Sequence, residues 1–163
     1  MKHTSTSPYS ATVTRQVGAG PQQTFTVIVP INLSTIFTGY WFLPAVKDVR
    51  DYPGRWDEAG LSRTPIFSDG NSAHETLVTH TPPSSFSYEI RDFTGVFGRL
   101  VEAAHGVWYF EPAPDGGTTV SWTYTFTPRA FFGPLIRYAI LPLWSRYMAR
   151  ALRLACDEVM SVS

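Results

Sequence analysis

From Ala45 to Pro128 apolar and polar residues alternate with a period of two, interrupted by short runs of turn residues. That period belongs to strands with one buried face. It predicts strands over 45–51, 61–67, 72–80, 84–92, 102–111 and 118–127, with turns at YPGRW, SDG, TPPS and PDGG. A further strand, 11–18, ends before Gly20-Pro21, and Pro21 suits the first turn of a helix. That helix reaches only to Pro30. Asn32 or Ser34 then caps a second short helix ending near Gly39. After Pro128 the period changes. Leu141, Trp144, Tyr147, Met148, Ala151, Leu152, Ala155 and Val159 recur every three or four residues, predicting a helix of about 18 residues. Arg146, Arg150, Arg153 and Asp157 fall on its opposite, solvated face. Pro142 marks either the start of this helix or a kink in a longer one. The segment FTGVFGRLV (93–101) holds two glycines among apolar residues and reads as a loop or lid.

Strand parity says where the side chains point. In GTTVSWTYTF, Val120, Trp122, Tyr124 and Phe126 share one face, and Thr119, Ser121, Thr123 and Thr125 the other. A three-residue turn Pro114-Asp115-Gly116 sets Trp108 opposite Trp122, Phe110 opposite Val120 and Gly106 opposite Tyr124. In LSRTPIFSDGNSAHETL (61–77), a three-residue turn Ser68-Asp69-Gly70 sets Arg63 across from Glu75. A two-residue turn sets Thr64 there instead. Closing the next hairpin at Pro82-Pro83 places Leu77 across from Tyr88 and Glu75 across from Ile90. Phe86, Tyr88 and Ile90 form the apolar side of SFSYEI, so Glu75 shares the inner face. A carboxylate there costs several kcal/mol to desolvate unless a cation meets it. Arg63 is the nearest, and its fork suits a carboxylate. The competing reading is an exposed cross-strand pair of little energetic weight.

Composition sharpens this picture. Aromatic residues make up 15% of the 163-residue chain and charged residues 16%, against about 25% charged in ordinary domains. The surplus of rings must fill a large core or line a cavity. Thirteen basic residues balance thirteen acidic ones, which leaves no basic footprint for nucleic acid. Cys156 stands alone, so no intrachain disulfide forms and a cytoplasmic setting is expected. Residues 1–10 read as a flexible polar tail without a secretory apolar run, and 11–163 as a single ligand-binding domain. No apolar run approaches the roughly 18 residues of a membrane span, so no stable membrane insertion is expected. FFGPLIRYAILPLW (131–144) carries one charge. It either touches a membrane surface or caps the open end of the sheet, and its two prolines favour the cap.

Candidate chemistry is sparse. No phosphate-binding loop or dinucleotide fingerprint appears, and no cofactor is implied. His74 and His80 lie on a predicted strand at the wrong spacing for the helical zinc motif, and both point outward if Glu75 points inward. No metal site is expected. His105 falls on the face opposite Trp108. No nucleophile with a neighbouring base assembles from spacing, and Cys156 reads as a packed apolar residue. The inner-face set Leu77, Tyr88, Trp108, Trp122 and Tyr124, with Trp144, Tyr147 and Met148 from the helix, is either core or cavity wall. Taken together it fits a ligand pocket, with Arg63, Glu75 and the tyrosine hydroxyls as polar handles.

Several stretches carry a family resemblance. VIVPINLSTIFTGYWFLPAV (27–46), GLSRTPIFSDGNSAHETL (60–77), SFSYEI (85–90), GVWYFEP (106–112), GTTVSWTYTFTPR (117–129) and LWSRYMARAL (143–152) make the chain resemble the START-like or SRPBCC superfamily. The nearest branch is bacterial polyketide cyclase/dehydrase and lipid transport. The resemblance implies an α+β helix-grip (birch-pollen-allergen) fold. In it a seven-stranded curved antiparallel sheet wraps around a long C-terminal helix, with two short helices after the first strand. It implies a hydrophobic small-molecule ligand such as a lipid, polyketide or aromatic metabolite, held by a monomer or homodimer. Members share no common catalytic set, so it assigns no catalytic residue. The leading expectation is a carrier or sensor. The alternative is a cyclase or dehydratase using Glu75 as base beside Arg63.

Overall fold

The structure, a computed structural model, describes residues 7–163. Most of the expected tail lies outside the described residues, and Ser10 already pairs with Thr125. The strands are β1 (Ser10–Val17), β2 (Val46–Arg50), β3 (Ser62–Phe67), β4 (His74–Thr81), β5 (Ser85–Arg91), β6 (Val101–Pro112) and β7 (Thr118–Pro128). Among the described residues they form one antiparallel sheet in the order β1-β7-β6-β5-β4-β3-β2. Helices α1 (Pro21–Ile28) and α2 (Leu33–Ile36) follow β1. Pro21 opens α1, and the Asn32 side chain caps α2 by accepting the Ser34 N–H at 3.1 Å.

Turn chemistry sets the register. Gly70 and Gly116 take positive φ of 85° and 87° in three-residue turns, a conformation only glycine reaches without strain. The β6–β7 pairs are the expected ones: Gly106 with Tyr124, Trp108 with Trp122 and Phe110 with Val120. On the outer face, hydroxyls of β1 and β7 bond across the ladder, Ser10 to Thr125 at 2.6 Å and Thr12 to Thr123 at 2.7 Å. The inner face is apolar and packs on the C-terminal helix α5 (Leu141–Ser161). Tyr147, Met148, Ala151, Leu152, Ala155, Cys156 and Val159 are its buried stripe.

Four expectations need correction. The segment 93–101 contains a short helix, α3 (Gly95–Leu100), where a loop or lid without regular structure was expected. Contacts of Phe97 with Phe93 and Phe126 hold it despite two glycines. The C-terminal helix is longer than its periodicity indicates. It begins with α4 (Gly133–Leu135), widens into a π turn over Ile136–Ile140 and continues as α5. Pro142 therefore lies inside a longer helix. It offers no N–H and its ring crowds the preceding turn, which the widened turn just before it accommodates. His80 is not on the outer face. A bulge between Leu77 and Thr79 reverses parity, so His80 pairs with Phe86 and packs edge-on against Phe25 at 5.3 Å. Arg150 is only half solvated, because its guanidinium donates to the Gly39 carbonyl at 3.0 Å.

Gly106 has a packing role on the inner face of β6. A Cβ built there would overlap the Tyr88 ring, which lies over the glycine from the adjacent strand. Gly106→Ala is therefore expected to cost about 1–3 kcal/mol by overpacking, read as a lower urea midpoint at unchanged slope. Wild-type stability would show that the ring moves aside freely.

Candidate functional site

A cavity of about 400 Å³ lies between the sheet and the start of the C-terminal helix. Its sheet wall carries Tyr88, Trp108, Trp122, Tyr124 and Phe126, and its helical wall Ile140, Trp144 and Tyr147. These side chains meet because β5, β6 and β7 present alternate residues inward while the helix turns one stripe toward them. Trp108 stacks on Trp122 at 4.6 Å between ring centroids, and Tyr124 contacts Trp144 at 4.8 Å. Phe42 and Val96 border the cavity yet are 72% and 68% exposed. The mouth therefore opens between the loop after α2 and helix α3. The segment 131–144 divides its side chains. Ile136 and Ile140 are buried, whereas Phe131 and Tyr138 face outward at 99% and 71% exposure.

Arg63 and Glu75 face each other inside the protein. They are directly paired across β3 and β4, and are 5% and 3% exposed. Arg63 Nε donates to Glu75 Oε2 at 2.5 Å. The guanidinium also lies over the Trp56 ring at 4.2 Å and near Tyr52 at 5.9 Å, cation–π contacts that hold it in place. Both charged residues border the cavity.

The tyrosine hydroxyls are not equivalent. Tyr147 donates to the Pro44 carbonyl and accepts from the Gly39 N–H, each at 2.9 Å, so its hydroxyl is committed to the fold. Tyr88 accepts the Trp122 indole N–H at 3.0 Å. Tyr124 has no hydroxyl partner among the described residues and is 4% exposed. Burial, with Tyr88 and Glu75 nearby, pushes the Tyr124 hydroxyl well above the usual phenol range. Tyr88 is raised first by burial and then by the Glu75 carboxylate. Both stay protonated and serve as neutral hydrogen-bonding groups. Burial also pushes the Cys156 thiol up to about 11, which makes it a poor nucleophile.

Two candidate residues are misplaced by parity alone. Leu77 and Met148, 1% and 0% exposed, pack in the core and do not border the cavity. The sequence reading also missed part of the wall. Ile28, Val29, Ile36 and Phe37 from the first two helices, and Phe93, Phe97 and Leu100 around α3, close it on the sides away from the sheet. Trp56, the platform under Arg63, sits in what reads only as a turn. Among the described residues no group of three or more His, Cys, Asp or Glu is placed to hold a metal, and no helix is long and apolar enough to cross a membrane.

The pair's energetics are open to test. Arg63→Met leaves buried Glu75 without its cation, and is expected to cost about 3–5 kcal/mol in urea unfolding. The double variant Arg63→Met/Glu75→Leu removes both charges and is expected to recover most of that loss. A single variant as stable as wild type would mean that water already screens the pair.

Known structures share the architecture. The crystal structure of Ara h 8.0201 superposes with a TM-score of 0.66 at 15% identity, covering 93% of this chain and 97% of that one. TTHA0849 from Thermus thermophilus gives 0.68 at 16% identity, covering 94% and 99%. XoxI from Bacillus cereus gives 0.64 at 15% identity, covering 94% and 96%. At these identities the likeness concerns the fold. No curated protein matches the chain by sequence. The sequence profile described as polyketide cyclase / dehydrase and lipid transport matches residues 8–158. The chain therefore belongs to that family, within the START-like superfamily.

Proposed function

We propose that the protein binds a hydrophobic small molecule (a lipid, polyketide or aromatic metabolite) in this cavity, as a carrier or sensor. One observation carries the reading. An aromatic-walled space of about 400 Å³ falls within the roughly 300–1,000 Å³ of small-molecule sites, and its buried polar side chains include Arg63, Glu75, Tyr88 and Tyr124. Filling it with ligand removes apolar wall from water, worth about 25 cal/mol per Å². The binding unit is the whole START-like domain, since its walls come from both ends of the chain. A cytoplasmic setting fits the lone, buried Cys156.

A second reading rests on a separate observation. Glu75 borders the cavity and only its Oε2 is held by Arg63. A carboxylate so placed is positioned to take a proton from a polyketide-like substrate, with Arg63 steadying the negative charge that develops.

Native mass spectrometry of freshly purified protein tests the first reading. A bound mass that disappears on denaturation is expected. Ile90→Trp, which fills the cavity beside Glu75, is expected to reduce it at least about tenfold. A bare chain that also takes up no hydrophobic fluorophore would contradict binding. Glu75→Gln, which leaves Arg63 without its carboxylate and so costs stability, separates the two readings once circular dichroism shows that the variant is folded. A carrier keeps its ligand, whereas an enzyme loses turnover of a poly-keto substrate by about 10²–10⁴-fold with binding retained.

A further inference from the structure

Large apolar side chains stand in water around the hollow end of the molecule. Trp41, at 83% exposure, joins Phe42 and Val96 at the cavity mouth, and Phe131 and Tyr138 project from the run before α5. Contacts tie these three segments together. Arg129 Nε donates to the Gly98 carbonyl at 2.7 Å, which links that run to α3. Tyr40 stacks on Tyr147 at 6.1 Å between ring centroids, which links the loop after α2 to the helix wall of the cavity. Trp41 and Phe131 carry a second cost. Their φ angles are 53° and 73°, a left-handed backbone that a bulky side chain adopts only with strain. At these exposures neither ring contributes to the core.

Charge identifies what such a surface fits. Between Asp115 and Asp157 the chain has five arginines and neither an acidic residue nor a lysine. The segment 93–101 adds Arg99 without an acid, and 37–46 is uncharged. Arg99, Arg129 and Arg137 are exposed and form no ion pair among the described residues. The Arg137 guanidinium lies over the Tyr138 ring at 5.1 Å. One acid borders the mouth, Asp69 on the turn between β3 and β4. The chain as a whole is neutral, so this end is cationic by arrangement. A second copy docked face to face would set arginine against arginine. A rigid acidic protein would need a matched pocket for each separately projecting ring. The fluid headgroup boundary of an anionic bilayer admits such rings without one, and its phosphates attract the arginines.

We propose that the cavity mouth is a docking surface for an anionic lipid bilayer. The rings enter the headgroup boundary, the arginines meet lipid phosphates, and the hollow end faces the membrane. The 131–144 segment serves both roles: Ile136 and Ile140 pack inward, while Phe131 and Tyr138 reach out. The contact is peripheral, since no helix among the described residues is long and apolar enough to cross. It stands independently of what occupies the cavity.

Flotation of the full chain with phosphatidylcholine vesicles, with and without phosphatidylglycerol, tests the surface. Binding to the anionic vesicles is expected to be at least about tenfold tighter than to the neutral ones, and to weaken as salt is raised. Trp41→Ala/Phe131→Ala is expected to lose about tenfold in vesicle binding, with a urea midpoint close to that of wild type. Arg99→Gln/Arg137→Gln is expected to cut the preference for phosphatidylglycerol about tenfold. Ile90→Trp, which fills the cavity, is expected to float as wild type does. Equal flotation with both vesicles, none with either, or unchanged flotation of Trp41→Ala/Phe131→Ala would overturn the docking surface and leave the cavity reading standing. Dimerisation in sedimentation velocity that this ring variant abolishes, without flotation, would overturn it in favour of a second copy.

Discussion

A charged carboxylate cannot sit on the apolar face of a sheet alone. This constraint organises the site. Glu75 is on the inner face because β4 pairs in register with β5, and Arg63 meets it because the Ser68-Asp69-Gly70 turn sets β3 one-to-one against β4. Slipping that turn by one residue would put Thr64 opposite Glu75 and strand the charge. The pair therefore links turn chemistry to the interior. Trp56 then holds the guanidinium against its ring face while Nε donates to Glu75 Oε2.

Around this pole the fold builds an incomplete core. The β5, β6 and β7 rings pack on one another and on Trp144, but the helix does not fill the end near α2 and α3. The π turn and Pro142 lie at this end, and they bring Ile140 and Trp144 to the cavity wall. Farther along α5 the stripe from Met148 to Val159 closes fully against the sheet. The molecule is thus tightly packed at one end and hollow at the other. Phe42 and Val96 mark where the hollow meets solvent.

Much of this was legible in the sequence because a strand has a strict period of two and its register is set by short turns. Gly70 and Gly116 named their turns, and parity then placed Arg63, Glu75, Trp108, Trp122 and Tyr124. What failed was whatever parity cannot see. The bulge after Leu77 reversed His80 without any local signal. Helix α3 forms against poor intrinsic propensity at Gly95 and Gly98, and only tertiary contact of Phe97 explains it. Leu77 and Met148 share the inner face yet face packed regions, because face does not distinguish core from cavity wall. Tyr147 and Tyr124 looked alike as polar handles. Only the positions of Gly39 and Pro44 reveal that one hydroxyl is already used.

The most direct test of the central claim is a methyl NMR titration with hydroxypyrene. The isoleucines divide cleanly: Ile28, Ile31, Ile36, Ile90 and Ile140 border the cavity, whereas Ile66 and Ile136 do not. Ring-current shifts confined to the first group are the expected result. Shifts confined to the second group, or no saturable shift at any isoleucine, would contradict a binding cavity beneath the sheet.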